Sequence, residues 1–154
     1  MKATDRRRQI AVIGSSEPDL ELMKLAVEIG GYIAEIGAVL ICGGLGGIME
    51  AAASGAKEQG GLTIGILPDY NKGTANPFID VAISTGLGHA RNVVVAASGD
   101  IVIALPGSHG TRSEISIALK LHKPVIGVKA WADIQGVRQI DNLEELRKVM
   151  VPYF

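Results

Sequence analysis

Six short apolar runs recur along this chain, and most are separated by a stretch with helical spacing. The runs are Gln9–Gly14, Ala38–Cys42, Leu62–Leu67, Val81–Ser84, Ile101–Leu105 and Val125–Val128. Each is almost continuously apolar, as expected of parallel strands covered on both faces. Helical patterns fall at Asp19–Ile36, Ile48–Gln59, Ala90–Ser98, Thr111–His122 and Leu143–Met150. Such an order buries its strands only if helices lie on both sides of one sheet. The expected fold is therefore α/β, a three-layer doubly wound, mostly parallel sheet of the Rossmann-like kind. Residues Trp131–Gln139 carry the least pattern and fit no more than a short edge element. No linker or repeat interrupts the alternation, so the 154 residues read as a single domain over 1–154.

The first helical pattern places Leu22, Ala26, Ile29, Ile33 and Ile36 on one stripe, with Ser16 as the expected N-cap and Pro18 in the first turn. Gly30-Gly31 within it costs ~1 kcal/mol per residue relative to Ala. Close approach of helix to sheet is the expected compensation. The second helix has a similarly small face in Ala51, Ala52, Gly55 and Ala56.

Composition narrows the partners. A formal net charge of −1 gives no general pull toward nucleic acid or anionic lipid. Aromatic content of 4% leaves little on which to stack bases. The apolar runs are far too short to span a bilayer. Residues 1–8, with Arg6-Arg7-Arg8, read as a flexible, solvated basic arm, because Ile10–Ile13 is too short for the apolar part of a signal peptide. Lone Cys42 permits no disulfide framework, which points to the cytoplasm.

The 20 glycines exceed the usual ~7%, and their positions carry the chemistry. Gly14-Ser15-Ser16 follows the first strand and Gly43-Gly44-Leu45-Gly46-Gly47 the second. Gly86-Leu87-Gly88 follows the fourth and Pro106–Gly110 the fifth. In a parallel sheet all four turns emerge at the carboxyl edge, where ligands bind at the switch in strand order. Glycine lets backbone amides approach an anion, and the helix opening at Gly110-Thr111 presents unpartnered N–H groups at its positive end. Tight connections alone explain one or two such turns; the set points to a small phosphorylated ligand. Several motifs are absent: there is no Gly-Lys-Ser/Thr P-loop, and Gly44-Leu45-Gly46-Gly47-Ile48-Met49 lacks the third glycine of the dinucleotide fingerprint. Gly107-Ser108-His109-Gly110 is no nucleophile elbow. His89, His109 and His122 are too scattered for a metal pair, so no metal site is expected.

With Gly43–Ala51 and Pro106–Glu114 both in view, the chain resembles the LOG-like superfamily, Rossmann-type proteins long mislabelled as lysine decarboxylases. The resemblance runs from about Ile10 to Val128. It implies one of two functions. Some members are phosphoribohydrolases that cleave the N-glycosidic bond of nucleoside 5′-monophosphates. A shorter branch holds molybdenum cofactor carrier proteins, which bind a pterin bearing a phosphate. Gly65-Ile66-Leu67-Pro68, Asn76-Pro77 and His89-Ala90-Arg91-Asn92 look most like the carrier branch. The hydrolase motif reads Pro-Gly-Gly-x-Gly-Thr-x-x-Glu; here Pro106, Gly107, Gly110, Thr111 and Glu114 match it, while Ser108 replaces a glycine. Arg91 matches the arginine that works with the glutamate in hydrolases. Ser113 and Ile117 stand where hydrolases usually carry further acids.

The expected ligand site therefore comprises Gly14, Ser15, Gly43, Gly44, Gly46, Gly47, Met49, Arg91, Pro106, Gly107, Ser108, Gly110, Thr111 and Glu114. Thr111-x-x-Glu114 also has capping-box spacing, and a carboxylate near a helix start is expected to titrate low. Glu114 thus reads as a cap, as an acceptor for ribose or pterin donors, or, in an enzyme, as a catalytic group with Arg91. A cation in the first turn of a helix is disfavoured unless an anion binds beside it, so Arg91 is either solvated or a phosphate countercharge. Arg112 reads as surface, His89 as a turn residue or ligand, and Asp100 as the start of a strand. Pro68–Pro77 reads as a lid, a specificity wall or a surface excursion. The leading expectation is a binding protein for a nucleotide or phosphorylated pterin, with a nucleoside monophosphate or molybdenum cofactor bound. The alternative is a nucleoside 5′-monophosphate N-glycosidase. The resemblance and the small-residue helices point to a homodimer or higher homo-oligomer.

Overall fold

The computed structural model describes residues 6–154. In chain order its elements are β1 (Gln9–Ile13), α1 (Leu20–Glu35), β2 (Val39–Cys42), α2 (Ile48–Glu58), β3 (Leu62–Leu67), β4 (Val81–Ser84), α3 (Arg91–Ser98), β5 (Ile101–Ala104), α4 (His109–Lys120), β6 (Val125–Val128), β7 (Val137–Ile140) and α5 (Leu143–Met150). The strands form one sheet in the order β4-β3-β2-β1-β5-β6-β7. Every pairing is parallel. The chain starts at the centre, winds out to β4, returns to β5 beside β1 and winds out the other way. The switch point lies between β1 and β5, in the register Val12↔Ile103.

Alternate residues of each central strand feed two cores. Ile10, Val12, Leu40 and Cys42 pack with Ile29, Ile33, Ala52 and Leu146 of α1, α2 and α5. Ala11, Ile13, Val39 and Ile41 pack with Val95, Ala96, Ile115 and Ala118 of α3 and α4. Two covered faces explain why the central strands read as continuous apolar runs.

Four expectations need correction. The N-cap of α1 is Asp19, whose carboxylate accepts from the Leu22 amide at 2.8 Å, and Ser16 lies exposed in the preceding loop. Residues 14–18 are instead drawn into the loops at the switch point, so the helix starts after Pro18. The glycines of α1 serve an approach of helix to helix, not of helix to sheet. A Cβ on Gly30 would run into the backbone carbonyl of Ala52, and one on Gly55 into that of Val27. The small face of α2 is thus consumed inside the chain. Thirdly, the run Val81–Ser84 is not covered on both faces, because β4 is an edge strand whose Val81 and Ile83 stay exposed; at the other edge β7 is the short element expected near Trp131–Gln139, with only Ile140 buried. Fourthly, α4 begins at His109 rather than Thr111.

Of the expected arm at 1–8, residues 1–5 lie outside the described residues, and Arg8 already joins the sheet through its carbonyl, which accepts from the Val39 amide at 2.8 Å. Asp100, just ahead of β5, accepts from the Gln9 amide at 2.9 Å and ties the starts of the two central strands. No helix among the described residues is long and apolar enough to cross a membrane.

Candidate functional site

The loops at the switch point are hooked to one another through the backbone. The Ser15 amide donates to the Pro106 carbonyl at 2.8 Å, and the Ser15 carbonyl accepts from the Ile48 amide at 2.9 Å. Behind them, buried Asn76 donates from its backbone N–H to the Gly44 carbonyl and from Nδ2 to the Leu45 carbonyl, both at 2.8 Å. Asn76 is the anchor of Pro68–Pro77. That loop buttresses the glycine turn from outside and contributes no residue to the cleft it supports.

The cleft so framed has a volume of ≈ 160 Å³. Gly14, Ser15, Gly43, Met49, Arg91, Ser108, Gly110, Thr111 and Glu114 line it. The other expected residues, Gly44, Gly46, Gly47, Pro106 and Gly107, form the turns behind that lining. His89, expected as a turn residue or a ligand, also faces the cleft, and so do Ser16 and Asn92, which were not expected in the site. The His-Ala-Arg-Asn string was the available signal for Asn92 and His89, because a single helical start presents neighbours of Arg91 to the same crevice.

At one wall, α4 opens with Ser108 as N-cap, and the serine makes no side-chain capping bond. The first-turn amides are therefore left for solvent or for an anion. Glu114 falls in the second turn, so the capping-box expectation fails: the helix starts two residues too early for that spacing. Its carboxyl pKa is pushed up to about 7 by burial, with Arg91 pulling it back. The expectation of a low value fails as well, since desolvation outweighs a dipole that fades beyond the first turn.

Opposite stands Arg91, the first residue of α3, and it is buried rather than solvated. Its Nε donates to the Ile66 carbonyl at 2.9 Å, Nη2 to the Gly43 carbonyl at 3.3 Å, and Nη1 to Asn92 Oδ1. A Cβ on Gly43 would sit 2.6 Å from Arg91 Nη2, so glycine makes the space that the guanidinium occupies. Burial lowers its pKa from the usual value and Glu114 raises it again, yet arginine stays charged in proteins. Three neutral acceptors hold it in place and leave one N–H on each terminal nitrogen uncommitted, a pattern suited to two oxygens of one anion.

The remaining candidates are structural. Arg112 points away from the cleft, to Asp133 at 3.0 Å and over the Trp131 ring at 5.1 Å. Cys42 is fully buried, and burial pushes its thiol up to about 11, which makes it inert at neutral pH. Among the described residues no cluster of three or more His, Cys, Asp or Glu side chains is arranged to hold a metal ion.

Comparison with known proteins adds four findings. The model of the SLOG cluster4 family matches residues 7–152. An uncharacterized protein of Archaeoglobus fulgidus is 50% identical over 137 residues, 89% of this chain and 90% of its own. A cytokinin riboside 5′-monophosphate phosphoribohydrolase of Mycobacterium tuberculosis is 34% identical over 140 residues, 84% of this chain and 74% of its own. Among solved structures, the molybdenum cofactor binding protein of Rippkaea orientalis superposes with a TM-score of 0.90 at 37% identity, over 97% of this chain and 98% of that one.

Proposed function

This chain is a member of the SLOG cluster4 family, and we propose that it is a binding protein for a nucleotide or a phosphorylated pterin, of the molybdenum cofactor carrier kind. The observation that carries this reading is the cleft at the switch point, which an uncapped helix start and a fixed, buried arginine both line. The phosphate lies on the amides of Gly107–Thr111 and of the Gly43–Gly47 turn, with Arg91 as countercharge. Glu114 meets a hydroxyl or ring donor. In a molybdenum cofactor site the loop amides and Arg91 would hold the phosphate, and Glu114 would meet a donor of the pterin. The cofactor brings the metal chemistry; the chain binds, orients and shields it. A cytoplasmic setting keeps Cys42 reduced.

The Mycobacterium relative and a Glu114 carboxyl near neutrality support a second reading, a nucleoside 5′-monophosphate N-glycosidase with Arg91 and Glu114 as catalytic pair. Ser113 and Ile117 leave that acid without the neighbours found in hydrolases. The two readings part in one assay. The protein is incubated with AMP and related monophosphates while free base is followed by chromatography and thermal stability by calorimetry. We expect no base, and a stabilisation of about 2.7 kcal/mol at a hundredfold excess over Kd that Arg91→Ala abolishes. Base release that vanishes in both Arg91→Ala and Glu114→Ala would overturn the carrier reading.

We also propose a homodimer through the face that α3 leaves uncovered. Val81 and Ile83 of edge strand β4 lie on the α3 side of the sheet and are 43% and 44% exposed; Leu87 and Val93 beside them are 53% and 49% exposed. A helix with valines on both its inner and outer sides fits a protein interface better than solvent. Val93→Glu is expected to turn dimers into monomers in light scattering without loss of helical signal. An unchanged mass would place the interface elsewhere.

A further inference from the structure

Glu114 is the buried titratable group whose charge state the ligand must decide. Its residue is 8% exposed, and it lines the cleft together with Arg91. Burial and the field of Arg91 alone act on it; no hydrogen bond from a described residue reaches the carboxylate. Arg91, for its part, is bound to the Ile66 and Gly43 carbonyls and to Asn92 rather than to Glu114. The two charges therefore see one another across the space the ligand enters.

We propose that ligand binding in this cleft is coupled to uptake of one proton by Glu114, so that the phosphorylated ligand and the proton enter together. The inference rests on the cleft being a phosphate-ester site. Three effects act in the same direction. The phosphate takes up the charge of Arg91, which had favoured the ionised carboxylate. The ligand displaces water and removes the last solvation of Glu114. The phosphate also adds negative charge beside it. The other groups facing Glu114 do not reverse the sign. Cys42 of β2 stays a neutral thiol, and Asp69, in the loop after β3, acts on Arg91 as a further negative charge. His89 lines the outer part of the same cleft on an exposed turn. On α4 itself, His109 is exposed and Arg112 is turned toward Asp133. A neutral carboxyl donates through its hydroxyl and accepts through its carbonyl oxygen, so it meets both a phosphate oxygen and a ligand donor.

The test titrates AMP into the wild type and Glu114→Gln at pH 8 by calorimetry, in two buffers of different ionisation enthalpy. The phosphate's own titration is common to both proteins and cancels in the difference. The wild type is expected to take up close to one proton more than Glu114→Gln. The ratio of wild-type to variant Kd should then rise by up to tenfold per pH unit above about pH 7. Equal proton counts, or a proton released by the wild type relative to the variant, overturn the coupling while leaving the phosphate site standing. Binding of AMP by neither protein at any pH overturns the phosphate reading and this inference with it.

Discussion

Gly55→Val is expected to remove about 3–5 kcal/mol of stability, a large share of the roughly 5–15 kcal/mol that holds an ordinary domain folded. Helices α1 and α2 touch through their backbones, and the contact is reciprocal: Gly55 faces the Val27 carbonyl and Gly30 faces the Ala52 carbonyl. A side chain in the way can rotate aside, but a carbonyl within a helix cannot. The two helices would have to separate, and the layer of Ile29, Ile33, Ala52 and Ala56 would lose its packing. Gly31→Ala makes the matched control. Its Cβ would meet only Gln59 Cγ at 3.5 Å and the Gly55 carbonyl at 3.6 Å, ordinary contact distances. That change should stabilise by about 0.5–1 kcal/mol through helix propensity and a less flexible unfolded chain. Urea denaturation followed by circular dichroism compares the three proteins. A Gly55→Val protein with an unchanged midpoint would show that the helices are not in backbone contact.

Glu114→Gln is expected to stabilise the free protein at pH 8 by about 3 kcal/mol while changing little at pH 4. The folded carboxyl titrates at about 7 against 4.5 in an open chain. Below 4.5 both states hold the proton and the group is neutral in either. Between 4.5 and 7 the unfolded chain ionises first, so folding loses stability as pH rises; above 7 the full penalty remains. Glutamine carries no charge to desolvate and escapes the penalty. Melting temperatures of both proteins from pH 4 to pH 8 decide it. Parallel curves would mean that Glu114 is not a buried, unpartnered acid. The burial that destabilises the free protein is also what prepares the cleft to respond to a ligand.

The positions of the strands and helices were legible because their rule is local. An apolar run covered on two faces and a stripe repeating every three to four residues leave marks in the chain wherever they occur. Strand β7 was legible only as a short edge element because three of its four residues are not buried, so the pattern that marks a core strand was absent. The glycine turns pointed to the right edge of the sheet, since a parallel arrangement sends every strand-to-helix loop the same way. Asn92 had only its place beside Arg91 at a helix start as a signal; that both residues enter one cleft is decided by distant loops. The buttressing role of Asn76 is similarly nonlocal: its partners, the carbonyls of Gly44 and Leu45, lie 32 and 31 residues away in a different loop.

The charge of the site divides along the same line. That an arginine stands at position 91 and a glutamate at 114, each on a helix that follows a glycine turn, is written in the chain, as are the alternation that makes an α/β sheet and the glycines that gather at its carboxyl edge. Their depth is not. Burial depends on which distant segments close over a side chain, and the energy of a charge depends on that burial more steeply than on its neighbours in sequence. Only the packing of strand β3 and of the loops after β1, β2 and β5 made Arg91 a fixed, carbonyl-bound cation and Glu114 a carboxyl that titrates near neutrality.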